Sequence, residues 1–148
     1  MPEYRHTFLF EPALWEARGV YYDAQGRRCP CEGRTLITHE PDLWINDGSM
    51  KILAEQPQEF HNRYEVVPFA PGRDHTTWRS YNPDLAIILG RFIIVEDAFI
   101  SPWQSEDGGF WGTEFLVQVG LREYRSRGYA FKGEQKLSAW AVQLLRRG

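Results

Sequence analysis

Leu85-Ala86-Ile87-Ile88-Leu89-Gly90-Arg91-Phe92-Ile93-Ile94-Val95 is almost wholly apolar, and Glu96-Asp97 separates it from Ala98-Phe99-Ile100. Two runs rich in β-branched residues, joined by two acidic ones, read as an antiparallel hairpin, with Gly90 as a bend in the first run. The same grammar repeats outward. Upstream, residues 60–66 set Phe60, Asn62, Tyr64 and Val66 on one face against His61, Arg63 and Glu65, and residues 76–80 place Trp78 between Thr77 and Arg79. Residues 15–22, 32–39, 43–45 and 50–54 form earlier segments, and residues 110–119, 123–131 and 137–145 later ones.

Turn signals stand between these segments every eight to twelve residues: Asp23-Ala24-Gln25-Gly26, Glu40-Pro41-Asp42, Asn46-Asp47-Gly48, Pro71-Gly72-Arg73-Asp74, Asn82-Pro83-Asp84, Glu96-Asp97, Ser105-Glu106-Asp107-Gly108-Gly109 and Lys132-Gly133-Glu134. Asn46-Asp47-Gly48 reads as a tight hairpin or a bulge. Two helical alternatives arise. Residues 11–18 could open with Pro12 at a first helical position, and residues 138–147 space Trp140, Ala141, Leu144 and Leu145 helically. A last strand that pairs with the first removes an exposed edge, so strand is preferred at the C-terminus. The expectation is all-β: an antiparallel up-and-down barrel of about ten strands, one domain over residues 1–148.

Composition agrees with strands and turns. The 148 residues include six Trp, seven Tyr, nine Phe, thirteen Gly and nine Pro, against three Lys and two Met. A net charge of −3 argues against a broad basic footprint, so no nucleic-acid partner is expected. Neither a long apolar run nor a signal-peptide pattern is read, so no membrane partner and a cytoplasmic location are expected. Cys29-Pro30-Cys31 reads as two reduced thiols entering a strand. His6, His39, His61 and His75 lack metal-ligand spacing, so neither metal nor cofactor is expected. Phosphate-cradle and nucleophile-elbow motifs are missing.

The order Trp15…Gly19…Tyr21-Tyr22-Asp23, then residues 92–101, then Gly109-Phe110-Trp111-Gly112, resembles the calycin barrels, the lipocalins and fatty-acid-binding proteins, over residues 15–145. It departs from them in lacking the lipocalin Gly-X-Trp and a helical lid after the first strand. The resemblance implies a barrel around a ligand cavity. It also implies an interior arginine–tyrosine pair for a ligand carboxylate, for which Arg122 with Tyr124 and Arg127 with Tyr129 are the matching positions.

Alternation supplies further candidates. Asn62 and Tyr64 face inward with Phe60, and Glu114 shares a face with Phe110, Gly112, Leu116 and Gln118. Trp78, Ser80 and Asn82 complete this constellation. Trp15, Trp44, Trp78, Trp111 and Trp140 are expected to fill the barrel or its mouth, with Trp103 beside a turn. The expected ligand-binding residues are therefore Asn62, Tyr64, Trp78, Glu114, Tyr124 and Trp140. The leading reading is a non-enzymatic barrel that holds a small hydrophobic or aromatic ligand carrying at most a carboxylate. The alternatives are an isomerase, lyase or hydrolase using an interior Glu/Tyr pair, and a solid barrel that forms a homodimer through the apolar outer face of residues 85–95.

Overall fold

The computed structural model describes residues 5–82 and 86–147. They form ten strands: β1 Ala13–Tyr22, β2 Arg28–Glu40, β3 Leu43–Ile52, β4 Gln58–Val66, β5 His75–Asn82, β6 Ala86–Val95, β7 Ala98–Ser105, β8 Phe110–Gly120, β9 Glu123–Lys132 and β10 Gln135–Arg147. Each pairs antiparallel with its neighbours in sequence, and β10 returns to β1, so the sheet closes as a barrel. The C-terminal segment is a strand throughout, because Leu14 to Tyr22 on one side and residues 123–132 on the other supply its ladder. The turn at Asn82-Pro83-Asp84 and the side chain of Asn82 lie outside the described residues.

Two expectations are corrected. Residues 46–48 are no turn; they sit mid-strand in β3, paired with Ile37, Leu36 and Thr35 of β2 and with Tyr64, Arg63 and Asn62 of β4. None of the three has a positive φ, which a tight two-residue hairpin of the Asn-Gly kind requires. Thr35 donates to Asn46 Oδ1, and a Cβ on Gly48 would meet the Thr35 hydroxyl at 2.9 Å, so strand packing explains both residues. The second correction concerns residues 11–18. Only one turn forms, closed by the Glu11 amide donating to the Thr7 carbonyl at 3.1 Å, before β1 begins.

That turn belongs to an N-terminal segment that plugs one end of the barrel. Phe8 and Leu9 pack there with Trp15, Ile37, Val66, Phe99 and Tyr124. Burying each such side chain stabilises the fold by about 1.5–3 kcal/mol. Leu9 adopts φ 68°, unusual for a leucine, and is held by full burial and by its carbonyl accepting from His39 Nε2 at 2.6 Å. The Tyr124 hydroxyl accepts from the Thr7 amide at 3.1 Å and bonds His6 Nδ1 at 2.8 Å.

Apart from the exposed Arg91, the outward residues of β6 are apolar, as its sequence suggests. Leu89 and Val95 are exposed there, and exposed Phe115, Val117 and Val119 on β8 add to the apolar wall.

Candidate functional site

Above the plug the barrel is hollow, with a cavity of about 360 Å³. Its walls are aromatic: Tyr21, Phe60, Tyr64, Trp78, Trp103 and Trp140. Glycines on neighbouring strands set the pose of three indoles. Trp78 pairs directly with Gly90, Trp103 with Gly112 and Trp140 with Gly128. An added Cβ would lie 2.2 Å from the Trp78 ring, 2.5 Å from the Trp103 ring and 2.3 Å from the Trp140 ring. Each indole therefore lies across a bare glycine, a cross-strand arrangement that covers the missing side chain and fixes the ring. Gly90, expected to bend its strand, is instead the bed for Trp78.

The fixed indoles aim their N–H groups. Trp78 Nε1 donates to Ser101 Oγ at 2.9 Å. Trp140 Nε1 donates to Glu114 Oε2 at 2.8 Å, and Ser126 Oγ donates to the same oxygen at 2.9 Å. Glu114 lines the cavity. Burial pushes its carboxyl pKa up, and the two donors offset part of that rise. Tyr64 also lines the cavity, its pKa raised by burial and by the charge of Glu114. Both donors converge on Oε2, and among the described residues none donates to Oε1.

Among the described residues, no cationic side chain pairs with that carboxylate, and Arg34 is the one basic residue bordering the cavity; its exposed side chain alternates to the outer face of β2 between Gly33 and Thr35. Ser80 borders the cavity too; it is 3% exposed and its hydroxyl has no hydrogen-bond partner. Cys31 faces the cavity as a free thiol whose pKa burial raises, and Cys29 is likewise unpaired.

Five of the six expected residues, Asn62, Tyr64, Trp78, Glu114 and Trp140, surround this one cavity. Tyr124 does not; it is fully buried in the plug, where its hydroxyl is engaged by the N-terminal segment. The arginine–tyrosine pairs are not built into the cavity either. Arg122 is exposed, and Arg127 projects outward because Ser126 and Gly128 take the inward positions. Two tryptophans exchange places against expectation. Trp111 is on the outer surface, stacked on Phe131, while Trp103 is in the cavity. The register explains it: Gly112 faces inward beneath Trp103, so Trp111 must face out. Ser101, Ser126 and Asn46 were missed, although strict alternation from Phe99, Tyr124 and Trp44 places each of them inward.

β4 pairs with β5 at Tyr64–Val66, opposite Ser80, Arg79 and Trp78. Phe60, 38% exposed, lines the cavity with the Tyr21 ring at 6.5 Å.

Fold and cavity together define a calycin-like barrel: ten antiparallel strands closed around a hollow, aromatic-walled interior. The S-type phycobiliprotein lyase of Guillardia theta has a similar fold, with a TM-score of 0.69 at 10% identity over 95% of this chain and 91% of that one. A Nitrosomonas europaea protein named as a candidate AttH matches more weakly, with a TM-score of 0.34 at 10% identity over 90% of this chain and 49% of that one. No protein-family model and no curated sequence matches the chain.

Proposed function

We propose that the barrel binds a flat aromatic small molecule that presents an N–H or cationic donor to Glu114. The carrying observation is a cavity carboxylate under aromatic walls that no cationic side chain among the described residues neutralises. A volume of about 360 Å³ falls within the range typical of small-ligand pockets. Indole and phenol faces favour a planar guest, and they attract a positive charge more than a neutral one. An ionised Glu114 repels a ligand carboxylate, so the expected acidic group on the ligand gives way to a donor. The likeness to a phycobiliprotein lyase supports the reading at the level of fold.

Quenching of tryptophan fluorescence by a matched pair of probes tests this. At neutral pH, 9-aminoacridine should quench saturably, and acridine-9-carboxylate should bind at least tenfold more weakly. Glu114→Gln should narrow that gap by weakening the first. Equal binding of both probes, preference for the carboxylate, or no saturable quenching would each overturn the proposal.

A further inference from the structure

We propose that the outer wall of β9, β10 and β1 carries a second site, separate from the cavity, for a compact multiply charged anion of the phosphate or pyrophosphate type. Arg18, Arg28, Arg125 and Arg127 surround one shallow depression whose floor includes Gly19, Val20 and Ala141. The ladder shows how they come together. Arg18 stands opposite Gln143, and Gln143 opposite Arg125; one step along the same face, Val20 stands opposite Ala141, and Ala141 opposite Arg127. Arg28 enters from β2, two positions before Pro30, the partner of Val20. With strands about 4.8 Å apart, Arg18 and Arg125 are roughly 10 Å apart at the backbone, with Gln143 between them, and the short Ala141 separates Val20 from Arg127.

Six of the ten arginines elsewhere pair with carboxylates: Arg5 and Arg146 with Glu11, Arg27 with Asp23, Arg63 and Arg79 with Glu65, and Arg147 with Glu16. Of the four grouped at the depression, Arg125 alone has a carboxylate within 4 Å among the described residues. Among the described residues neither Arg18 nor Arg28 forms an ion pair, and Arg127 donates only to the Ser126 carbonyl at 2.8 Å. Two carboxylates stand at the rim. Glu32 is opposite Arg18 in the ladder without an ion pair, and Glu123 Oε2 lies 3.8 Å from Arg125 Nε while accepting from Gln143 at 2.9 Å.

Four guanidiniums held this close repel one another, and an anion placed among them relieves that repulsion. Their planar forks suit phosphate oxygens, which accept two parallel N–H bonds from each arginine. One carboxylate carries too little charge for four such groups, whereas a pyrophosphate or phosphate monoester answers several at once. The phosphate can be free or can belong to a lipid headgroup, and the two sources are separable by experiment.

Isothermal titration with inorganic pyrophosphate at low ionic strength should show saturable binding that weakens as salt is added. The double substitution Arg18→Glu with Arg127→Glu should lower the affinity at least tenfold, while Arg147→Ala, outside the depression, should leave it unchanged. Co-sedimentation with phosphatidic-acid vesicles forms the second arm. Binding to vesicles but not to pyrophosphate assigns the site to a lipid headgroup, and the reverse assigns it to a free ligand. Absence of both, or an affinity untouched by the double substitution, would overturn the proposal. So would a tetraglutamate peptide that binds where neither phosphate source does. All substituted positions are exposed, and an unchanged melting temperature with unchanged 9-aminoacridine quenching shows that the barrel is intact.

Discussion

Replacing Glu114 by glutamine should stabilise the protein at neutral pH, although it removes the carboxylate that lines the cavity. Trp140 and Ser126 both donate to Oε2. A glutamine carbonyl oxygen in that position has two lone pairs and accepts both, so neither bond is lost. What disappears is a carboxylate charge whose pKa burial has raised. Because the folded-state pKa lies above the unfolded one, the native state holds its proton more tightly. Wild-type stability then falls as pH rises from the unfolded value through the folded one. The variant has no such loss. Relieving an imperfectly compensated buried polar group is worth about 1–2 kcal/mol, or roughly 2–8 °C in melting temperature for a chain of this size. Calorimetry at pH 4 and pH 7 is the assay. At pH 4 the wild-type carboxyl is mostly protonated in both states, and the two proteins should melt close together. At pH 7 the variant should melt higher. Glu11 and Glu65, whose pKa values hydrogen bonds from Arg146 and Arg63 hold low, lose their contribution as pH falls, but equally in both proteins. A variant less stable than wild type at pH 7, or one offset by the same amount at both pH values, would refute the reasoning.

Three further outcomes follow from the same geometry. Gly128→Ala puts a Cβ 2.3 Å from the Trp140 ring; the indole must shift, at a cost of about 1–3 kcal/mol, with a change in tryptophan emission and weaker 9-aminoacridine binding, and a variant of wild-type stability and emission would contradict it. Tyr124→Phe strips the Thr7 amide and the His6 ring of their shared partner; denaturant unfolding should show a loss of about 1–3 kcal/mol, with faster hydrogen exchange at Thr7 and Phe8. Ser80→Ala removes a hydroxyl with no partner and should change stability by less than about 0.5 kcal/mol, whereas Ser101→Ala leaves the Trp78 N–H unanswered and should cost about 1–3 kcal/mol; equal effects would show that the two serines are not distinguished as described.

Period-two alternation was enough to read most of the barrel before any coordinates. Residues 60–66 place Asn62 and Tyr64 inward with Phe60, and Glu114 follows Gly112 and precedes Leu116 on one face of β8; all of these line the cavity. The misread elements share a cause, which is that local signals were overridden by neighbours in the ladder. Asn46-Asp47-Gly48 has the composition of a turn, yet β2 and β4 flank it and complete its hydrogen bonds. Tyr124 alternates inward as expected, but depth along the strand, not direction, decides between cavity and plug. That depth depends on where the N-terminal segment crosses the barrel, and a contact between Thr7 and Tyr124, more than a hundred residues apart, leaves no local trace.

The glycines show what a pairwise reading adds. Taken one at a time, Gly90, Gly112 and Gly128 weaken a strand or mark a bend. Once the hairpin registers are known, each stands directly opposite a tryptophan, and the three pairs occur on β5 with β6, β7 with β8, and β9 with β10. A side chain at any of these positions would push an indole away from its partner strand and toward the centre, into the volume now open. Bare glycines let the rings lie flat against the wall, so a chain with six tryptophans keeps a hollow interior. The same flat pose turns two indole N–H groups along the wall, one to Ser101 and one to Glu114. In these three pairs tryptophan and glycine thus act as one feature, which holds the cavity open, gives it an aromatic lining and orients its carboxylate.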